Sequence, residues 1–505
     1  MNLRYSRLLG PVGSLVMAVA VVLLPITSLP VLSRAMDRAL VAPPSAVLIA
    51  LMALFWLPVF IYRGGLIPRE SAAVWAFFYV ALISAGLAFF RIYPSFKGYT
   101  VIRNETSAVI TLAMAAAFYL IFSVYYGRSN ELRTFFVMLN IGGMMLLGWS
   151  LVQLYVVVTS HGDYQGWMVR FHDLLSIRSL TSHVFYNRVT GFAYEPSWLA
   201  NMLNLLYLPF WLAASVAGFS AFRKLGPISL ENVLLPVGAL VLLFSFSRIG
   251  LAAFLLVLAY LTLVLVLRLA RWLARHLARR FTLQNSAALN VLLTVIITLI
   301  IFALFFYAAL ELLRIVAQFD SRVARLLDLD NYYSSDPYRL ARNFAFGERL
   351  SFWAVGWRIF TDYPLVGVGP GNAGFFFIQK LPLAGWDLTE AIQVIDVIGY
   401  LPNVKSLWSR LLAETGLIGF STFAAWLFVL WHAGRYLRTR REGIFRMAGW
   451  MGSFVIIAFL LEGFSTDSFA LPYVWVSMGV LTAASALARR VEVVAANGDT
   501  EGLKP

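Results

Sequence analysis

The chain has 505 residues, 60% of them apolar and 15% aromatic against 13% charged, and a formal net charge of +15. A soluble globule of this composition would expose large apolar patches, so the sequence excludes that class and places the chain in a lipid bilayer. Apolar runs of about 18 or more residues, long enough to cross roughly 30 Å of hydrocarbon as helix, occupy twelve windows: 9–30, 42–62, 72–91, 106–126, 134–158, 197–219, 230–246, 249–269, 287–313, 410–433, 445–462 and 469–488. None shows the short alternation of a membrane barrel, and a spanning segment must satisfy its own backbone hydrogen bonds. The prediction is an all-α polytopic membrane protein, one integral domain over residues 1–505 with about twelve transmembrane helices. The first run follows a short basic stretch but lacks a small-residue cleavage site, which predicts a retained helix. The tightest division falls at Ser245-Phe246-Ser247-Arg248, where a turn must separate two helices.

Short cytoplasmic loops collect Lys and Arg. With Arg4 and Arg7 inside, the short cytoplasmic segments receive 21 of the 40 basic residues, including Arg63, Arg69, Arg128, Arg133, Arg223, Lys224, Arg268 to Arg280, Arg435 to Arg446, Arg489, Arg490 and Lys504. Both termini are therefore expected in the cytoplasm. The positive charge is then an orientation signal and an attraction to anionic lipid. A basic groove with interleaved aromatics is missing, so no nucleic-acid partner is expected.

Cysteine is absent, which removes disulfides, thiol nucleophiles and thiolate metal sites. His161, His172, His183, His276 and His432 lack metal-site spacing, and no Walker-type phosphate loop occurs. Neither metal nor any other cofactor is expected.

Two segments on the outer side are too long to be plain connections. Residues 159–196 carry Arg170, Arg178, Arg188 and Glu195, and residues 314–410 hold ten basic and nine acidic side chains. Both are rich in Trp, Phe, Tyr and Leu, a composition that argues against disorder. Ser351 to Thr361 reads as an amphipathic helix with two tryptophans, suited to a membrane surface.

Arg248, Arg349 and Lys405 all fall at this outer surface, and cations placed there suit a phosphate or diphosphate. Each one alone could be a snorkelling residue at a helix end. The run Gly367-Val368-Gly369-Pro370-Gly371-Asn372 reads first as a tight turn, and its amides could also form an anion-binding nest. Glu195, which precedes Pro196 at a predicted helix start, suits either a general base or an acid set against the helix dipole. Glu348 and Asp336 are the other carboxylates considered as base, and Glu414 is expected to pair with Arg410 one helical turn away.

The pattern Arg349, Trp353, Pro364-Leu365-Val366-Gly367-Val368-Gly369-Pro370-Gly371-Asn372, then Lys405-Ser406 and Leu411-Leu412-Ala413-Glu414-Thr415-Gly416-Leu417-Ile418-Gly419, resembles the hallmark region of the bacterial O-antigen ligase/polymerase superfamily. Ser245-Phe246-Ser247-Arg248 and Arg188-Val189-Thr190-Gly191-Phe192-Ala193-Tyr194-Glu195-Pro196-Ser197 are also similar to family elements. The resemblance implies a metal-independent glycosyltransferase of the inner membrane, with its active site facing the periplasm. Its donor would be an undecaprenyl-diphosphate-linked oligosaccharide, and its acceptor a glycan or lipid A-core; a chain-length regulator is a further possible partner. It implies diphosphate contacts at Arg248 and Arg349. Arg188, Gly369, Gly371, Asn372 and Lys405 complete the candidate binding set, with Glu195, Arg248, Arg349 and Lys405 as candidate catalytic residues.

Lys405-Ser406 stands where the ligase-like pattern has His-Asn. Lysine can hold diphosphate as a point charge, whereas at an ordinary pKa it is no base. With the Glu-Pro-Ser element, this departure leans the expectation toward a polymerase of O-antigen or exopolysaccharide repeat units. The ligase is the alternative, and a polysaccharide transporter or flippase the second alternative.

Overall fold

The computed structural model describes residues 10–36, 39–182, 187–222, 228–281, 286–318, 324–325, 327–328, 346–396 and 401–496. Among these the chain is helical throughout, without a β-strand beyond isolated bridges from Ser28 to Ala42 and Ser176. The helices are α1 (Gly10–Val22), α2 (Pro30–Ala35), α3 (Pro44–Tyr62), α4 (Arg69–Ala88), α5 (Val101–Val124), α6 (Ser129–Ser160), α7 (Gly166–Leu175), α8 (Pro196–Ala217), α9 (Leu230–Phe244), α10 (Arg248–Phe281), α11 (Ser286–Ala317), α12 (Gly347–Asp362), α13 (Thr389–Asp396), α14 (Leu407–Leu437), α15 (Gly443–Glu462) and α16 (Tyr473–Ala496), with short 3₁₀ and helical turns between α12 and α13.

Each of the twelve predicted windows contains a helix among its described residues. Among the described residues nine helices are long and apolar enough to cross a membrane, α3 to α6, α8, α10, α11, α14 and α15. The count of twelve spans is not reached by this measure, because α1 and α9 are apolar but only 13 and 15 residues long. Arg489, Arg490 and Glu492 in its last turns keep α16 outside the nine. The expected turn between α9 and α10 is present, with Phe246 in the left-handed region (φ 47°).

Two compact units divide the chain, residues 1–250 with 348–505, and residues 251–347. The second consists of α10 beyond Gly250, together with α11. In the first, α14 packs on α4 and α15, α8 on α15, and α5 on α16. Small residues allow the closest approach: a Cβ on Gly449 would stand 2.6 Å from the Gly434 carbonyl oxygen of α14. Buried Glu231 is fully paired, accepting from Asn140 (2.8 Å), Ser220 (2.9 Å) and the Ala221 amide (2.9 Å).

One feature of α14 organises the side of the protein expected to face outward. Gly416 breaks the helix with φ 64° and ψ −167°, a conformation essentially confined to glycine. The break frees backbone groups on both sides, and the strip Pro364–Gly369 takes them up. Val368 and Gly369 donate to the carbonyls of Ala413 (2.9 Å) and Glu414 (3.0 Å), while Leu417 and Ile418 donate to Pro364 (2.8 Å) and Leu365 (3.2 Å). From α4, the Ser84 hydroxyl donates to both Val366 (2.5 Å) and Glu414 (2.8 Å). The apparent turn motif and the Ala-Glu-Thr-Gly motif are therefore two halves of one backbone stitch. A Cβ on Gly416 would overlap the Leu365 carbonyl. Gly416→Ala is expected to destabilise the protein by on the order of 1–3 kcal/mol or more, read as a lowered unfolding temperature in detergent. Gly148→Ala, at an open helical position, should leave that temperature unchanged or slightly raised.

Candidate functional site

Arg248 is the first residue of α10, set there by the left-handed turn at Phe246. Ser245 accepts from the Ser247 amide (3.3 Å), and Ser247 accepts from the Gly250 amide (3.4 Å), closing the first turn of the helix. Arg188 fastens this turn from the preceding loop, donating to the carbonyls of Ser245 (2.9 Å) and Phe246 (3.4 Å), while the Val189 amide donates to Phe244 (2.9 Å). Arg188 thus buttresses the backbone that presents Arg248. Gly250 in turn lies on α8, since a Cβ there would stand 2.6 Å from that of Ala200, and Asn204 donates to its carbonyl (2.8 Å).

Glu195 is the N-cap of α8 ahead of Pro196, but its side chain makes no capping hydrogen bond. It pairs instead with Arg178 (2.9 Å) and accepts from the Ser197 hydroxyl (3.1 Å). Arg178 also donates to the Tyr194 hydroxyl (2.7 Å) and stacks over its ring at 4.0 Å. Glu195 thus stands at the helix start, where an acid set against the dipole was the alternative, as a partly exposed carboxylate held by an arginine.

Successive positions on one face of α12 build the cationic part. Arg349 donates to the Phe464 carbonyl (3.3 Å); Phe352 lies under the Lys405 ammonium at 4.7 Å; Trp353 donates to the Lys405 carbonyl (3.2 Å) and packs on Phe464 at 5.1 Å. Phe352, Val355 and Ile359 are buried in a core with Phe375, Phe376, Phe377, Leu381 and Val404, which fixes the helix, while Trp357 faces outward. The helix expected at Ser351 to Thr361 is thus present, anchored by its own apolar core. Lys405 has φ 52°, its amide bonds to Asn403 (3.1 Å), and its ammonium pairs with Glu390 of α13.

These groups share one electrostatic environment. Burial lowers the Arg349 pKa, against the pull of Asp467, Glu195, Glu462 and Glu348. Burial, and secondly the Arg349 charge, lowers Lys405 to about 8, against Asp467, Glu348 and Glu195. Burial raises the Asp467 carboxyl, opposed by Arg410, Lys405 and Arg349. Arg349, Lys405 and Glu195 are therefore brought together, and Arg248 stands on a turn packed against the same helix α8.

The glycine-rich run has a different placement. Besides the stitch to α14, the Gly371 and Ala373 amides bond the Glu414 carboxylate. Asn104 of α5 donates to the Gly371 carbonyl (2.6 Å) and the Asn372 side chain (3.1 Å), and Asn372 donates to buried Glu105. Gly369, Gly371 and Asn372 thus spend their polar groups on α5 and α14. The expected Arg410 and Glu414 pair is present at 2.9 Å. Glu348 accepts from the Glu390 amide (3.3 Å). Asp336, His183, Arg4, Arg7, Arg223, Lys224 and Lys504, with most of 319–345, lie outside the described residues. Among the described residues no group of three or more His, Asp or Glu side chains could hold a metal ion.

Sequence reasoning missed Asp467, Glu390 and Glu462, and gave Arg178 no role. Asp467 lies in Ser465-Thr466-Asp467-Ser468, a short polar connection on the predicted outer side, and Arg410 donates to its carbonyl (2.5 Å). That placement was the available signal. Glu462 ends α15 and accepts from Asn204 (2.7 Å) and Asn201 (3.3 Å), a contact no spacing announces.

No curated protein matches the chain. Residues 233–424 match the family model described as O-antigen ligase. That segment contains Arg248, Arg349, Lys405 and both halves of the stitch, while Arg188, Glu195 and Asp467 flank it. Over this segment the chain is similar to the O-antigen ligase family, which supports its resemblance to the O-antigen ligase/polymerase superfamily.

Proposed function

We propose that the protein is a glycosyltransferase of the bacterial inner membrane that joins undecaprenyl-diphosphate-linked repeat units into O-antigen or exopolysaccharide at the periplasmic face. The observation that carries this reading is the convergence of Arg349 and Lys405 with the carboxylates Glu195 and Asp467 in a chain that holds the family domain. The acceptor hydroxyl oxygen attacks the anomeric carbon of the donor, and the bond from that carbon to the diphosphate oxygen breaks. Undecaprenyl diphosphate departs with the bonding electrons. Arg248, Arg349 and Lys405 stabilise the charge that accumulates on it, and fixed cations do so without reorganisation. Glu195 receives the hydroxyl proton. Lys405 acts as a cation in this scheme, consistent with its seat between Glu390 and the Phe352 ring.

The description of the matched family favours a second reading, transfer of finished glycan to lipid A-core. Purified protein supplied with undecaprenyl-diphosphate-linked repeat units alone separates the two. A product ladder establishes the polymerase; extension only when lipid A-core is added establishes the ligase. Failure with both acceptors would return the transporter.

Arg349→Ala and Arg248→Ala should each lower transfer by about 100-fold or more, the scale of a lost electrostatic stabiliser, with membrane insertion intact; wild-type product from both would refute the diphosphate clamp. Lys405→Arg should retain more activity than Lys405→Ala. Since Lys405 is charged below about pH 8, wild-type transfer should decline as pH rises through that value, and Lys405→Arg should lose this alkaline limb. A rate that climbs through pH 8 would instead make Lys405 the base. Glu195→Gln should abolish turnover if Glu195 takes the proton, whereas a loss no greater than that of Arg178→Gln would reduce it to an anchor for the loop.

A further inference from the structure

The loop that ends at Glu195 contains α7, a helix of 10 residues that the transfer chemistry does not use. At 1.5 Å per residue it is about 15 Å long, half of what crosses roughly 30 Å of hydrocarbon. One of its faces, with Met168 and His172, is buried in the protein. On another, Trp167, Phe171 and Leu174 follow one another at i, i+4 and i+7, and they are 53%, 41% and 70% exposed. Large apolar side chains repeated along one exposed helix face mark a surface that something apolar covers.

The placement of α7 identifies what covers it. After Ser160 the chain doubles back, so that the Phe171 ring meets the Trp149 indole of α6 edge-on at 4.7 Å and the His172 ring lies 6.5 Å from the same indole. Trp149 stands about three turns, roughly 16 Å, before the end of α6, inside the apolar window 134–158. Helix α7 therefore lies alongside apolar α6 and not beyond its end. Over these same turns α6 exposes Leu151, Tyr155 and Val158, again at i, i+4 and i+7, the stripe that a spanning helix turns to lipid. The exposed face of α7 thus occurs at the depth of a lipid-facing stripe. The far end of α7 is tied down as well, since the Ile177 amide donates to the Ser28 carbonyl (3.1 Å). Helix α2 packs on α7 and adds Val31, 71% exposed, and exposed Arg34. The polar groups suit a boundary: the Trp167 indole N–H is satisfied by the Gln165 side chain (2.8 Å), and exposed Arg170 flanks the apolar stripe. An indole with its apolar body outward and an arginine beside it match the headgroup level of a bilayer.

We propose that α7, backed by α2, is a membrane-interface helix whose Trp167, Phe171 and Leu174 face is seated between the headgroups and the first acyl carbons of the leaflet in which α6 ends, with Arg170 and Arg34 at the phosphates. The inference goes beyond the transferase reading and does not rest on it. Its consequence is that the loop carrying the Arg178 and Glu195 pair is fastened to lipid at one end and to the bundle, through α8, at the other.

The chain has no cysteine, so a nitroxide spin label can be set at one chosen position at a time. The test uses the full-length protein in nanodiscs of phosphatidylethanolamine and phosphatidylglycerol. Labels on Trp167→Cys, Phe171→Cys and Leu174→Cys should collide several-fold more with oxygen, which concentrates among acyl chains, than with a water-soluble nickel chelate. A label on Asp173→Cys, exposed on a different face, should show the reverse. Dominance of the chelate at all four positions would place the face in water, and protection from both reagents at the three apolar positions would place it against a second copy or another protein; either result overturns the proposal. In the Trp167→Cys background, Phe171→Asp with Leu174→Asp should turn the label toward the chelate, whereas an unchanged depth would show that protein contacts hold the helix without lipid and would equally overturn it. A label on Tyr155→Cys of α6 should stay oxygen-dominated in the same double-aspartate background, which distinguishes a displaced helix from a misfolded protein.

Discussion

An unmade backbone hydrogen bond costs several kcal/mol in hydrocarbon, so a membrane helix can break only where other backbone repairs it. Gly416 breaks α14, and four main-chain bonds from residues 364–369 repair it. The rest of the outer side depends on this repair. Upstream of the strip, α12 carries Arg349, Phe352 and Trp353; upstream of the break, the start of α14 follows Lys405. Fixing strip to helix fixes the arginine relative to the lysine, and the Trp353 bond to the Lys405 carbonyl completes the registration. Arg410 extends the order to the next connection by joining Glu414 to the Asp467 backbone.

The cations so positioned are held under tension by design of the charge distribution. Arg349 and Lys405 repel each other and are partly desolvated, and Asp467, Glu195 and Glu348 offset the cost. In the proposed transfer, a dianionic leaving group entering such a place would relieve the repulsion that the protein alone only balances. The carboxylates border the cations without filling their place: Glu195 is occupied by Arg178 and Ser197, and Glu390 holds the Lys405 ammonium from the side.

Much of this was legible in the sequence, for identifiable reasons. Helices follow from hydropathy, and the division at Ser245 to Arg248 follows from polar residues interrupting an apolar run. The count of spans was less legible, since α1 and α9 are apolar helices that stop short. Arg349 and Lys405 stood out as cations at helix ends. Gly369, Gly371 and Asn372 read equally as turn or anion nest, because glycine spacing specifies backbone conformation and not what the amides bond. Only the fold shows that Glu414, Glu105 and the α14 carbonyls claim them. Glu462 was invisible for the opposite reason, and Asp467 was marked only by its polar connection: each is a lone acid whose meaning comes from partners on α8, α12 and α14, over 50 residues away in the chain.

The stitch also orders the assembly of the protein in time. Residues 364–369 leave the ribosome before residues 413–418, so the strip that repairs the break is made before the helix that contains it. The first half of α14 ends at carbonyls that this strip satisfies, and Ser84 of the much earlier α4 donates to Glu414 beside it. The helix therefore enters as a late keystone, seated by backbone translated before it. Its arrival closes the backbone stitch.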